Sequence, residues 1–138
     1  MKIVDKSICL AHKLFPKVYV EKKLNSNFHF AFGFHGKKLI GIGINDYALN
    51  NKALKLAKRF NIEEKKQWPT LHAETDLISQ LFGRYHIDNS LTIIAVRLNR
   101  FHKLQMSKPC SSCSSVLKAL NVSNVYWSDQ NGEIQHGL

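Results

Sequence analysis

Two separated motifs constrain this chain more than anything else in it. The first is His72-Ala73-Glu74, inside the run from Pro69 to Leu77, and the second is Pro109-Cys110-Ser111-Ser112-Cys113. One imidazole, two thiols and a carboxylate that need not bind metal suit a catalytic zinc site better than a sealed one. Zinc prefers nitrogen and sulfur ligands in tetrahedral geometry, and three protein ligands leave a fourth position for a water whose pKa the metal lowers to about 7. On this reading His72, Cys110 and Cys113 hold one Zn2+ per chain, and Glu74 is free to move protons. Any fold that uses the motifs must bring two distant stretches of chain to one point. The alternatives are a structural zinc site, for which His102 is the nearest fourth ligand in sequence, and a metal-free surface histidine at His72. A structural site would make Glu74 and the open ligand set a coincidence.

Periodicity places these motifs on an α/β layout. Apolar positions between residues 5 and 24 predict a helix broken near Pro16, although Val18-Tyr19-Val20 reads equally well as extended. Phe28 to Phe34 alternates large apolar residues at even positions, and Leu39 to Ile44 follows a glycine-containing turn, which reads as a β-hairpin. A basic helix is expected over about 47–60, then a polar connection from Asn61 to Pro69. Thr70 is the expected N-cap of a helix from Leu71 to Tyr85 that buries Leu77, Ile78 and Leu81 and carries His72 in its first turn. Ser90 to Leu98 reads as a buried strand. Pro109 precedes a helix from Ser111 to Leu120, with Cys110 and Cys113 at its start. Val122 to Trp127 is a further strand, and Asp129 to Gly132 a turn into a short tail. Two helix N-termini then face one metal, and their partial positive ends favour thiolate ligands.

Taken jointly, the motifs form the His-x-Glu and Pro-Cys-x-x-Cys signature of zinc-dependent nucleobase deaminases, and over roughly residues 28–128 the chain resembles the cytidine deaminase superfamily. A histidine as first ligand resembles the branch that holds deoxycytidylate, tRNA adenosine and polynucleotide cytidine deaminases. The resemblance implies a three-layer cytidine-deaminase-like α/β fold, with a mixed central sheet and helices on both faces, in a single domain over residues 1–138. It also implies hydrolytic deamination, in which zinc-bound hydroxide attacks C4 of cytosine while Glu74 carries the proton to the ring nitrogen and then to the leaving ammonia.

Asn45 ends a Gly41-x-Gly43-x-Asn45 segment that looks like the end of the family's second strand, where the asparagine contacts the bound nucleoside. The two glycines either permit close approach to substrate or relieve packing against a helix. Backbone groups at Ala73 and from Ser107 to Pro109 are expected, by resemblance, to hold the edges of the base. Trp68, beside Lys65 and Lys66, either stacks a base at the mouth or packs at the helix entrance. His12, His29, His35, His86 and His136 carry no partner spacing and read as ordinary.

The chain departs from the branch in several respects. It ends soon after its last clear strand, its first helix is not alanine-rich, and its hairpin lacks a Pro-Val-Gly-Ala run. No further Cys/His cluster lies between Asn45 and His72, so an accessory zinc is not expected.

Charge bears on the substrate. Twenty Lys plus Arg against 10 Asp plus Glu give a formal net charge of +10 over 138 residues. Such an excess attracts polyanions and phosphorylated ligands, or is merely general surface charge. The preferred reading is a deaminase of a cytosine-containing (deoxy)nucleotide whose phosphate meets Lys and Arg, cytosine being chosen because it dominates the family. The alternative is an editing enzyme acting on cytosine or adenine in single-stranded DNA, RNA or tRNA. A third reading is an inactive, zinc-stabilised nucleic-acid-binding module, against which the intact Glu74 speaks. Of three cysteines two are spent on metal, and Cys9 reads as a buried small apolar residue. No apolar run nears the roughly 20 residues needed to span a bilayer, so a soluble, cytoplasmic protein with no membrane partner is expected. Its exposed sheet edge suggests a homodimer or higher homo-oligomer.

Overall fold

Large and small side chains alternate along Phe28–His35, and this alternation sets the layering of the molecule. Successive side chains of a strand point to opposite faces, so Phe28, Phe30, Phe32 and Phe34 are all fully buried in one core while Ala31 belongs to a second. The computed structural model describes residues 2–22, 28–63, 66 and 70–138. In it this strand, β1, pairs antiparallel with β2 (Lys38–Ile44) on one side and with β5 (Leu91–Leu98) on the other. The tight turn between β1 and β2 uses Gly36 at φ 59°, a conformation glycine adopts without steric cost. Strand β6 (Asn124–Ser128) joins β5 in parallel, and β7 (Ile134–His136) closes the edge antiparallel to β6. The result is a mixed five-stranded sheet in the order β2-β1-β5-β6-β7.

Helix α1 (Lys2–Lys22) covers the phenylalanine face with Val4, Ala11, Phe15 and Val18. The opposite face carries α2 (Asn51–Arg59), α3 (Ala73–Leu81) and α4 (Ser111–Ala119). There Leu56, Ala73, Leu77, Ile78, Leu81 and Leu117 pack on Ala31, Leu91, Ile93 and Val125. A separate two-stranded ladder, β3 (Asp46–Leu49) with β4 (Thr70–Leu71), lies outside the main sheet. The three-layer α/β fold with helices on both faces is as expected. Among the described residues no helix is long and apolar enough to cross a membrane.

Local expectations fail where tertiary contacts outweigh local signals. Pro16 does not break α1: it sits exposed within a continuous helix whose neighbours Phe15 and Val18 are buried, so packing compensates for the hydrogen bond proline cannot donate. The basic helix starts at Asn51, not near 47, because the Asn50 side chain accepts from the N–H groups of Lys52 and Ala53 at 2.8 and 3.3 Å. Thr70 is not an N-cap, since it pairs with Leu49 in the small ladder, and α3 ends at Leu81, short of Tyr85. Cys9 lies exposed on α1, on the opposite side of the helix from its buried stripe. The tail after Gly132 adds β7, too short to show a periodicity.

Helix α3 lies unusually close to β2. A Cβ placed on Gly43 would overlap the Ala73 carbonyl oxygen and come within 2.6 Å of the Leu77 nitrogen, and one on Gly41 would meet the Leu77 side chain at 2.9 Å. The packing reading of these glycines therefore holds. Gly43→Ala should destabilise the fold by roughly 1–3 kcal/mol, the usual cost of forcing extra atoms into a packed interior. Gly33→Ala should cost less, since its Cβ would meet only flexible Leu77 side-chain atoms, at 3.2 Å. Chemical denaturation of both variants checks this, and equal midpoints would remove the close approach from the account.

Candidate metal centre

The first turn of α3 is held against β2 by polar contacts as well as by glycine. The Ile44 N–H donates to Asp76 Oδ2 at 2.9 Å, and Gln80 Nε2 donates to the Ile42 carbonyl at 2.8 Å. His72 is the N-cap residue of this helix, one position before the first turn in which it was expected. Its backbone N–H donates to Thr75 Oγ1 at 3.2 Å, and the Asp76 N–H donates to its carbonyl at 2.9 Å. The imidazole thus projects from a fixed helix start.

The second motif is anchored by the other half of the sheet. Ser107, 1% exposed, donates its hydroxyl to the Ala95 carbonyl at 2.8 Å and its N–H to the Ser128 carbonyl at 2.9 Å, and it accepts the Ser128 N–H at 2.7 Å. These bonds tie the segment after β5 to β6. Three residues later Cys110 serves as N-cap of α4, and the Ser114 N–H donates to its carbonyl at 2.8 Å. Cys113 follows within the first turn and is buried, while Cys110 is exposed.

His72 Nδ1 then lies 3.4 Å from Cys110 Sγ and 3.4 Å from Cys113 Sγ, and the three donor atoms all lie within 4.8 Å of one another. Tetrahedral zinc, with bonds of about 2.0–2.1 Å to nitrogen and 2.3 Å to sulfur, places nitrogen and sulfur ligands about 3.6 Å apart. These residues are close enough to coordinate one metal ion, and the spacing and donor types suit zinc. His102 does not join them. It packs at a tilt against Phe15, with ring centroids 3.9 Å apart, and stacks on His12 at 6.1 Å, on the α1 side of the sheet. Among the described residues the cluster therefore has three protein donors.

The two sulfurs perturb each other in opposite directions. A hydrogen bond from Cys113 lowers Cys110 to about 3 against partial desolvation, with the His72 ring helping. The same hydrogen bond pushes Cys113 well above its ordinary value, reinforced by burial and by the negative charges of Glu74 and Cys110. A divalent cation binds thiolates, so it would displace the Cys113 proton.

Glu74 is 1% exposed. Burial, the largest single influence, pushes its carboxyl up, but the charge and N–H of His29, the backbone N–H of Glu74 and the charge of His72 together outweigh it and bring the carboxyl to about 2. His29 Nε2 and Glu74 Oε1 are 3.1 Å apart. The approach is a close contact of charge and dipole more than an aligned hydrogen bond, because neither buried atom has a partner in good hydrogen-bond geometry. His29 thus corrects its reading as an ordinary histidine. The signal that could have found it was the alternation of β1: on the face that carries Ala31 and Gly33, small residues opposite α3, the strand places two polar side chains, His29 and His35, one at each end.

The expected substrate residues distribute unevenly. Asn45, 5% exposed, accepts the His29 N–H on Oδ1 at 3.0 Å and donates its own N–H to the His29 carbonyl at 3.2 Å, which places it beside the Glu74 contact. Ala73 is fully buried as the first residue of α3. Ser107 has its hydroxyl and N–H committed to the sheet, and Trp68 lies outside the described residues.

No protein-family model matches the chain, and no curated protein or solved structure is significantly similar to it. The metal centre is directly testable. Elemental analysis of purified protein should find one bound zinc per chain, lost in Cys110→Ala and Cys113→Ala and retained in His102→Ala, in keeping with the three-donor cluster. Zinc retained in both cysteine variants would refute the ligand set.

Proposed function

We propose that this protein is a zinc-dependent hydrolytic deaminase of a cytosine-containing nucleotide, related to the His-Ala-Glu branch of the cytidine deaminase superfamily. The observation that carries this reading is a buried carboxylate, Glu74, two residues from the ligand His72 and outside the three-donor cluster itself. A structural zinc site has no use for such a group.

Replacing an exocyclic amine requires three things: a nucleophile at a ring carbon, a proton on the ring nitrogen, and a proton on the departing nitrogen. Zinc held by His72, Cys110 and Cys113 would supply the nucleophile by lowering the pKa of water to about 7. Glu74 would accept a proton from the attacking water. It then delivers the proton to the ring nitrogen and afterwards to the leaving ammonia, and a positioned general acid–base of this kind contributes about 10²–10⁴-fold. Burial of the carboxylate keeps competing water from it. Asn45, beside His29, would meet the sugar. Lys and Arg side chains, part of the +10 excess, meet the phosphate.

A second reading, the same chemistry on cytosine or adenine within a single strand, draws support from a cleft of about 600 Å³ whose lining includes Lys52, Lys55, Arg59 and Phe82. The Arg59 guanidinium sits 4.9 Å over the Phe82 ring. This cleft flanks α2, whose inner residues Ala53, Leu56 and Ala57 line a small cavity with His72 and Cys113. Phosphates distant from the reacting base would fit there.

The deciding experiment is a mass-spectrometric screen of zinc-loaded protein against cytidine and deoxycytidine nucleotides, adenosine compounds and short single-stranded DNA and RNA. Free cytosine nucleotides should gain the mass of an amine-to-carbonyl exchange, and Glu74→Ala should keep its zinc and lose turnover by at least about 10²-fold. Turnover retained in Glu74→Ala would sink the mechanism, and zinc binding without any turnover would favour the binding-module reading. If only oligonucleotides react, Lys55→Glu with Arg59→Glu should cut their turnover and flatten its salt dependence, since neutralising fewer phosphates releases fewer counterions.

A further inference from the structure

Among the described residues, His29 and Glu74 hold buried side-chain atoms that lack an aligned hydrogen-bond partner and face each other across 3.1 Å. Leaving a buried polar atom unpaired costs about 1–3 kcal/mol, and more for a charged one, so a contact of this kind persists where something holds both groups in place. The backbones are fixed independently. His29 lies within β1, in register with Arg97 of β5, and Asn45 clamps it through both its N–H and its carbonyl. Glu74 is in the first turn of α3, which Gly43, Asp76 and Gln80 hold against β2. The two side chains meet because β2 connects both anchors. Their exposures differ: the imidazole is 19% exposed and the carboxylate 2%, so His29 is the outer member of the pair.

We infer that His29 is a positioning residue: its Nε2, 3.1 Å from Glu74 Oε1, needs only a small turn of the ring to donate its N–H, and so fixes the Glu74 carboxylate in the orientation from which it exchanges protons beside the metal ligands. This rests on the deaminase reading for the reaction, though not for the contact itself. The imidazole supplies one donor at a set height above the sheet, which an apolar residue at that position could not. Asn45 acts one step further out, by holding the strand on which the imidazole stands.

Two measurements on the zinc-loaded protein test this. In protein labelled with ¹⁵N-histidine, the His29 Nε2–H should give a proton signal protected from exchange with water, and that signal should be lost in Glu74→Ala. A merely structural histidine would keep its signal. In turnover, His29→Phe should lower kcat about 10²-fold with KM and zinc content little changed, whereas His29→Gln, which keeps an N–H at the ε position, should recover to within about tenfold of wild type. An Nε2 without a proton, or equal losses in the two variants, would overturn the inference. If the wild-type protein deaminates nothing, the functional reading falls, and the ¹⁵N signal alone still decides whether His29 pairs with Glu74.

Discussion

The close approach of α3 to β2 at Gly43 is the contact on which the rest of the structure depends. Helix axes usually stand off a sheet by the depth of the intervening side chains, but here the helix backbone at Ala73 occupies the space a Cβ would need. Two consequences follow from that single missing methyl group. The N-terminus of α3 is held at the end of β2, which puts His72 over the start of α4, and Glu74 is turned inward against β1. Hydrogen bonds from Ile44 and Gln80 then fix the helix in rotation as well as in distance.

The electrostatics of the site follow from that placement. Two cysteines at the start of α4, one exposed and one buried, lie 3.4 Å from the same imidazole nitrogen, and their thiols are pushed in opposite directions, Cys110 down and Cys113 up. The buried thiol also faces the negative charge of Glu74, which makes it the harder of the two to ionise without a cation. A divalent cation held by His72, Cys110 and Cys113 would ease that conflict by binding both sulfurs as thiolates. Glu74 is meanwhile kept ionised in a buried setting by His29, so the carboxylate is available and not silenced by desolvation. One sheet, through β1 and β2, thus serves both the ligand set and the group beside it.

How much of this was legible in the sequence depended on the range of the interactions involved. The strand alternation of Phe28 to Phe34 and the apolar stripe of Leu77, Ile78 and Leu81 report burial directly, and both elements formed, the helix shorter at each end than its pattern suggests. Cys110 and Cys113 at the start of a helix were equally readable from Pro109 and the pattern after it. The helix start at Asn50 is a local signal too, masked because the apolar pattern runs back into β3. Thr70 misleads for a different reason: a good N-cap residue is drawn into a ladder with Leu49, a partner far from it in sequence. Pro16 likewise stays helical because the sheet face holds α1 on both sides of it.

The residue types of the candidate metal cluster and the alternation that builds β1 were determined by the sequence alone, because donor chemistry and side-chain period are properties of single residues and near neighbours. Tertiary structure decided which histidine meets Glu74, that His102 stands on the far side of the sheet, and that Ser107 is a latch between β5 and β6. Those outcomes turn on distances between residues remote in the chain. Only the packing of α3 on a glycine-lined strand, and the crossing of β5 to β6 beneath it, brings such residues within a few ångströms.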